Sequence, residues 1–193
     1  RFLQRHIDMT GVRCYNRLNK SEFIKQIVCF GGNHFMFQKA IIIGCPGAGK
    51  STFARILSDK THLPLYYLDM LWHKPNRTTV DKNIFDEKLK EIVLKDKWII
   101  DGNYGRTLEM RIQSCETIFL LDFPVEECLA GAESRIGRQR VDMPWIETEF
   151  DEEFRQWIID FPKNELPIIY ELLDRYKSEK SSYVFHSRAD IDD

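Results

Sequence analysis

A three-layer α/β fold, with helices against a mostly parallel five-stranded sheet, is predicted by two observations. Short apolar runs alternate with amphipathic helical stretches from Ala40 onward, and a glycine-rich turn joins the first run directly to a helix. Residues 40–43 form an uninterrupted apolar run, as a strand covered on both faces requires. Residues 50–60 set Phe53, Ile56 and Leu57 on one helical face. Further strands are expected at 65–68, 98–100, 117–121 and 183–185. Helices are expected at 81–95, where Phe85, Leu89, Ile92 and Val93 keep helical spacing, and at 125–138, opened by Pro124. Two more follow at 150–159 and 164–176, in which Trp157, Ile158, Ile168, Ile169, Leu172 and Leu173 read as core. Strands alternating with helices imply right-handed βαβ crossovers.

The turn, Gly44-Cys45-Pro46-Gly47-Ala48-Gly49-Lys50-Ser51, fits G-x-x-x-x-G-K-[ST] and has the strand before it and the helix after it that such a loop needs. This is a P-loop, continued by Thr52. Its glycines let backbone amides turn inward around phosphate, and the helix N-terminus adds partial positive charge. Lys50 is suited to the β and γ phosphates and the Ser51 hydroxyl to Mg2+, so ATP and Mg2+ are the expected cofactors. Cys45 admits two readings: a small tolerated residue, or a thiol activated by the oriented amides.

Trp98-Ile99-Ile100-Asp101-Gly102-Asn103-Tyr104-Gly105-Arg106-Thr107 puts a carboxylate at the end of a buried strand, where doubly wound sheets bind ligands. Beside the P-loop strand, Asp101 would hold the magnesium shell; otherwise it caps the next turn. Arg106, projecting from that loop, suits an anionic acceptor. Asp69 comes just after the second strand, at its ligand-facing end, and is followed by Trp72 and His73. They are candidates for binding an acceptor by hydrogen bonds and ring stacking, or equally a core anchor with a polar neighbour. Arg135 and Arg138 either neutralise charge on a moving phosphoryl group or merely suit a helix C-terminus.

Charge and composition exclude other classes. The 193 residues carry 28 Lys+Arg against 30 Asp+Glu, with 43% apolar and 12% aromatic residues, unlike a disordered, fibrous or strongly basic protein. Six basic residues (Arg1, Arg5, Arg13, Arg17, Lys20, Lys25) against two acidic ones (Asp8, Glu22) leave residues 1–35 at +4 and the rest at −6. This divides the chain into a basic extension, 1–35, with a short helix expected at 21–30 before Gly31-Gly32-Asn33-His34, and a body, 36–193, starting at Met36. No uncharged apolar run approaches the roughly 18–20 residues that span a bilayer, and no secretory signal core is present, so a cytoplasmic address is expected. The five cysteines form no CxxC pair and are expected as reduced thiols.

Residues 44–52 with Asp101-Gly102-Asn103-Tyr104-Gly105-Arg106-Thr107 resemble the adenylate kinase-like branch of P-loop kinases, whose motif there is Asp-Gly-Phe-Pro-Arg-Thr. Tyr67-Leu68-Asp69-Met70-Leu71-Trp72-His73, Asp101-Gly102-Asn103-Tyr104 and Asp142-Met143-Pro144-Trp145 resemble more closely the bacterial DNA topology modulation proteins, over about residues 36–190. The resemblance implies strand order 2-3-1-4-5 and a short lid at about 137–149. It also implies phosphoryl-stabilising roles for Arg135 and Arg138 in the run Arg135-Ile136-Gly137-Arg138-Gln139-Arg140. Met143-Pro144-Trp145 would form an apolar flap over the site. Ser187 and Arg188 would approach the adenine, and Arg140 and Arg155 are further candidates for phosphate contact.

The expected activity is transfer of the γ-phosphoryl group of Mg-ATP to a small acceptor, with nucleotides and nucleosides among the candidates. Lys50, Asp101, Arg135 and Arg138 would be catalytic, Ser51 and Asp101 would serve the metal, and Asp69, Trp72, His73 and Arg106 the acceptor. The alternatives are an ATP-dependent, DNA-associated regulator and an ATPase without an acceptor. An acidic body without a basic stripe argues against direct duplex binding.

Overall fold

The computed structural model describes residues 37–192 and the two-residue segment Arg13–Cys14. The helix expected at 21–30, the glycine breaker and Met36 lie outside the described residues. The elements, in chain order, are β1 (Lys39–Gly44), α1 (Lys50–Thr61), β2 (Leu65–Tyr67), α2 (Leu68–Trp72), α3 (Lys82–Val93), β3 (Trp98–Asp101) and α4 (Gly105–Ser114). They continue with β4 (Thr117–Leu121), α5 (Val125–Glu133), α6 (Glu152–Asn164), α7 (Leu166–Arg175), β5 (Ser181–Phe185) and α8 (Ala189–Asp192).

Five parallel strands stand in the order β2-β3-β1-β4-β5, as expected, and Arg13–Cys14 pairs in parallel with Tyr183 and Val184 at the β5 edge. Helices cover both sides of the sheet. Ile41, Ile42, Ile43, Ile99, Ile100 and Ile118 are fully buried for that reason, each contributing about 1.5–3 kcal/mol of burial. Phe119 stacks on Tyr183 and meets Phe37 and Phe53 edge-on, locking β4 to β5 and α1. In-register pairing of Ile42 with Asp101 brings the ligand-facing ends of β1 and β3 side by side.

Three local expectations need correction. The helix expected at 125–138 stops at Glu133: the Ser134 hydroxyl bonds back to the Gly131 carbonyl, and i→i+3 turns carry the chain to Gly137, at φ +73°. Arg135 and Arg138 therefore lie on a tightening turn, not on one helical face. The stretch read as a loop around Arg106 is helix α4, whose buried face is Thr107, Leu108, Arg111 and Ile112; the charge of Arg111 hides the apolar stripe. Ile158, Ile169, Leu172 and Leu173 are core, but Trp157 is 40% and Ile168 55% exposed, at the border of the α6 and α7 packing faces.

Candidate active site

The P-loop bridges β1 and α1 with Gly44, Gly47 and Gly49 all at positive φ. Its inner geometry is set by Ala48 N–H donating to the Cys45 carbonyl at 3.2 Å and by Lys50 Nζ donating to the same oxygen at 3.0 Å. Helix α5 packs directly on this loop. A Cβ on Gly47 would lie 1.9 Å from the Cys128 carbonyl oxygen, at a backbone φ of +86°. Gly47→Ala is therefore expected to cost about 2–4 kcal/mol, from the steric shift and the left-handed backbone together, and to weaken nucleotide binding. Thermal unfolding checks it; a midpoint within a degree or two of the parent would contradict the packing described.

Cys45 is buried, its Sγ 3.9 Å from the Ile158 carbonyl and in hydrogen-bonding reach of Cys128. That hydrogen bond and burial push its thiol well above the usual range, which supports the small-residue reading over the reactive one. Thr52 is exposed and accepts from Arg55 at 3.2 Å.

Asp101, 5% exposed, ends β3 with its carboxyl in hydrogen-bonding reach of the Ser51 hydroxyl, while its Oδ1 has no hydrogen-bond partner. Burial pushes the carboxyl up to about 6, against the pull of Lys50 and Ser51. A raised folded-state value means a contribution to stability that is full below about pH 4 and lost as pH rises through about 6. Asp101→Asn is thus expected to raise the unfolding midpoint at pH 7.5 by several degrees, for up to about 3 kcal/mol, and to give no gain near pH 3. Unfolding scans in chelator across that range test it; a gain independent of pH would refute the assignment.

The turn after Asp101 is tied into the P-loop. Asn103 Oδ1 accepts from Gly44 N–H at 2.9 Å and its Nδ2 donates to the Gly44 carbonyl at 2.6 Å. Tyr104, at φ +41°, aims its hydroxyl at Asp69 Oδ1, 2.9 Å away. Arg111, fully buried, donates to the carbonyls of Gly102 (2.8 Å), Asn103 and Tyr104 (3.2 Å). Sequence reasoning assigned no role to Asn103, Tyr104 or Arg111. The available signal was an arginine at a position that helical spacing makes core.

Among the acceptor candidates, Asp69 lies beside Lys50 and Arg135 electrostatically. Trp72 packs edge-on against Phe85 (5.4 Å) and Tyr104 (6.1 Å), which favours the core-anchor reading. His73 is half-buried with an unpartnered Nδ1, its ring 4.9 Å from that of Trp145 in the lid, and burial lowers its pKa. Arg106 is engaged elsewhere: on the first turn of α4 it pairs with Asp86 of α3 at 2.5 Å and is half exposed, so the structure does not bring it to Asp69. Arg155 is exposed on α6, 3.8 Å from Glu152.

Arg135 is partly buried within the fields of Lys50, Asp69 and Asp142, whereas Arg138 is exposed, with no ion pair among the described residues. The segment 137–149, expected as a lid, folds on Arg140, which donates to both oxygens of Asp142 (3.3 and 2.6 Å) and to Glu147 (2.7 Å), and Gly137 N–H closes its base on the Glu147 carbonyl at 2.7 Å. Arg140 thus braces this segment rather than standing free for phosphate. Arg188, beyond β5, donates to the Gly47 carbonyl at 3.0 Å and so holds the P-loop from outside.

No family model matches the chain, and no curated protein matches it. Among solved structures it is similar to a shikimate kinase from Bacteroides thetaiotaomicron, at 17% identity and a TM-score of 0.54, over 80% of this chain and 88% of that one. It is similar too to a shikimate kinase from Acinetobacter baumannii, solved in complex with shikimate, at 15% identity and a TM-score of 0.52, over 80% and 87%. The chain has the P-loop kinase fold. The likeness is one of fold, shared with these two kinases, and does not support the topology modulation name. Among the described residues, no helix is long and apolar enough to cross a membrane.

Proposed function

We propose that the protein transfers the γ-phosphoryl group of ATP to a hydroxyl of a small acceptor. The observation that carries this reading is the convergence of Lys50, Ser51, Asp101 and Asp69 at the ends of three adjacent parallel strands, with Arg135 alongside. The kinase fold shared with the two shikimate kinases supports it.

The residues present fit a magnesium ion. The unpartnered Asp101 Oδ1 and the Ser51 hydroxyl are hard oxygen donors. Among the described residues no three His, Cys, Asp or Glu side chains form a metal cage, so a cation here would need phosphate oxygens to complete its shell, as a nucleotide supplies. Ser51 and Asp101 would hold the ion, which when bound would supply positive charge against the charge developing on the phosphate oxygens. Lys50 and Arg135 supply the fixed positive charge for the oxygens of the moving group. Asp69, held through Oδ1 by Tyr104, orients the acceptor hydroxyl and takes its proton as the oxygen attacks phosphorus. The lid segment around Trp145 excludes water, which disfavours hydrolysis.

With Arg106 committed to Asp86, the acceptor side offers Asp69, Tyr104 and His73, a set suited to hydroxyl groups. The test is ADP release from Mg-ATP against nucleosides, nucleoside monophosphates and small polyols. Stimulation by one acceptor, with phosphate recovered on it, is the expected result; only a slow basal release with every acceptor would overturn the reading.

A further inference from the structure

Asp142 stands out in the lid. Its neighbour Val141 is 63% exposed, yet Asp142 itself is 4% exposed. Arg140 grips both its oxygens, and Glu147 anchors the other side of the same guanidinium, so the carboxylate is aimed as well as buried. It points to the P-loop: the Ser51 hydroxyl is in hydrogen-bonding reach of Asp142 as well as of Asp101.

A serine hydroxyl has one proton, so it can donate to only one of the two carboxylates at a time. The other must go unserved by it, and Asp101 Oδ1 already has no partner in a fully enclosed position. Two carboxylates from distant parts of the chain converging on one hydroxyl oxygen, one of them with an orphaned buried oxygen, form a donor set that a divalent cation satisfies and a hydroxyl alone does not. A carboxylate serving only to brace Arg140 would gain the same two hydrogen bonds at the surface without the cost of burial.

We infer that Asp142 is a carboxylate of the metal site delivered by the lid, so that binding the divalent cation and closing the lid are coupled. The inference rests on the phosphotransferase reading above and deepens it. Lys50 and Arg135 report the phosphates, while Asp142 reports the cation, and a nucleotide arriving without metal would leave the lid unlatched. By reciprocity, any substrate that favours the closed lid would tighten the cation by the same factor.

The test uses the full chain, Mn2+ as the probe, and a non-hydrolysable ATP analogue. Mn2+ affinity is read by electron paramagnetic resonance and lid closure by Trp145 fluorescence, assigned by its loss in Trp145→Phe. Asp142→Asn is expected to weaken Mn2+ binding about tenfold or more, to leave metal-free analogue affinity within about twofold, and to abolish the metal-dependent fluorescence change. Glu147→Gln, which loosens the same arginine without touching Ser51, is expected to keep near-parental Mn2+ affinity. If Asp142→Asn bound Mn2+ like the parent while Ser51→Ala did not, or if Glu147→Gln weakened it equally, Asp142 would be a lid brace and the inference would fall alone. If the parent itself bound no Mn2+ with the analogue, the phosphotransferase reading would fall with it.

Discussion

Lys50→Ala is expected to lower kcat/KM for phosphoryl transfer by about 10^3 while leaving the protein folded. The ammonium donates to the Cys45 carbonyl at 3.0 Å, within the P-loop, and lies in the fields of Asp101, Asp69 and Arg135. On the phosphotransferase reading proposed above, it is thereby held where phosphate oxygens gain charge in the transition state, and removing one such preorganised donor in a water-poor site costs about 2.7–4 kcal/mol. Burial already lowers the lysine's pKa, a sign that the charge is held at an energetic cost, so its loss should not destabilise the fold. Steady-state ADP release with the stimulating acceptor, beside an unfolding scan, makes the measurement. A variant retaining more than about a tenth of parental kcat/KM would remove Lys50 from the chemistry, and a collapsed midpoint would recast it as structural.

Arg111→Met is expected to lower stability by about 3–5 kcal/mol, a drop of roughly 10 °C or more in the unfolding midpoint for a chain of this size. Replacing a buried ion pair by an apolar residue is often harmless because both charges leave together. Here the partners are backbone carbonyls of Gly102, Asn103 and Tyr104, which stay behind: Tyr104 keeps the N–H and hydroxyl of Thr107, but the buried Gly102 carbonyl and that of Asn103 lose the arginine's donors. Lysine at 111 would not rescue the variant, since one ammonium on a flexible stem cannot reproduce the fork that meets carbonyls of successive residues. The consequence extends to the site, because Asn103 holds the first P-loop glycine and Tyr104 holds Asp69. A midpoint within about 2 °C of the parent would show that the turn is held by other contacts.

The P-loop was legible because its chemistry is local: the glycines, Lys50 and Ser51 are adjacent in the chain, and the strand and helix around them follow from apolar periodicity. Asp101 was legible for a related reason, since a carboxylate closing a buried apolar run has no structural place except the end of a strand. The setting of Arg106 was not legible, because a charged residue near a glycine turn looks like a loop clamp, and nothing local reveals that Asp86, twenty residues earlier, pairs with it on a helix. The helix end at 138 was misplaced because helical spacing was extended past Ser134, where a side-chain hydrogen bond and Gly137 tighten the chain into a turn.

The sequence by itself determined the α/β class, the phosphate loop and the carboxylate opposite it, because periodic burial and backbone conformational limits act over a few residues. Only the tertiary structure decided which arginines are tied into ion pairs, that Tyr104 and Asn103 join three strand ends, and that Asp142 comes within reach of Ser51. Those pairings depend on charges and hydrogen bonds that find each other across tens of residues. Such partners are chosen by burial and geometry in the folded chain, and residue spacing carries almost no record of them.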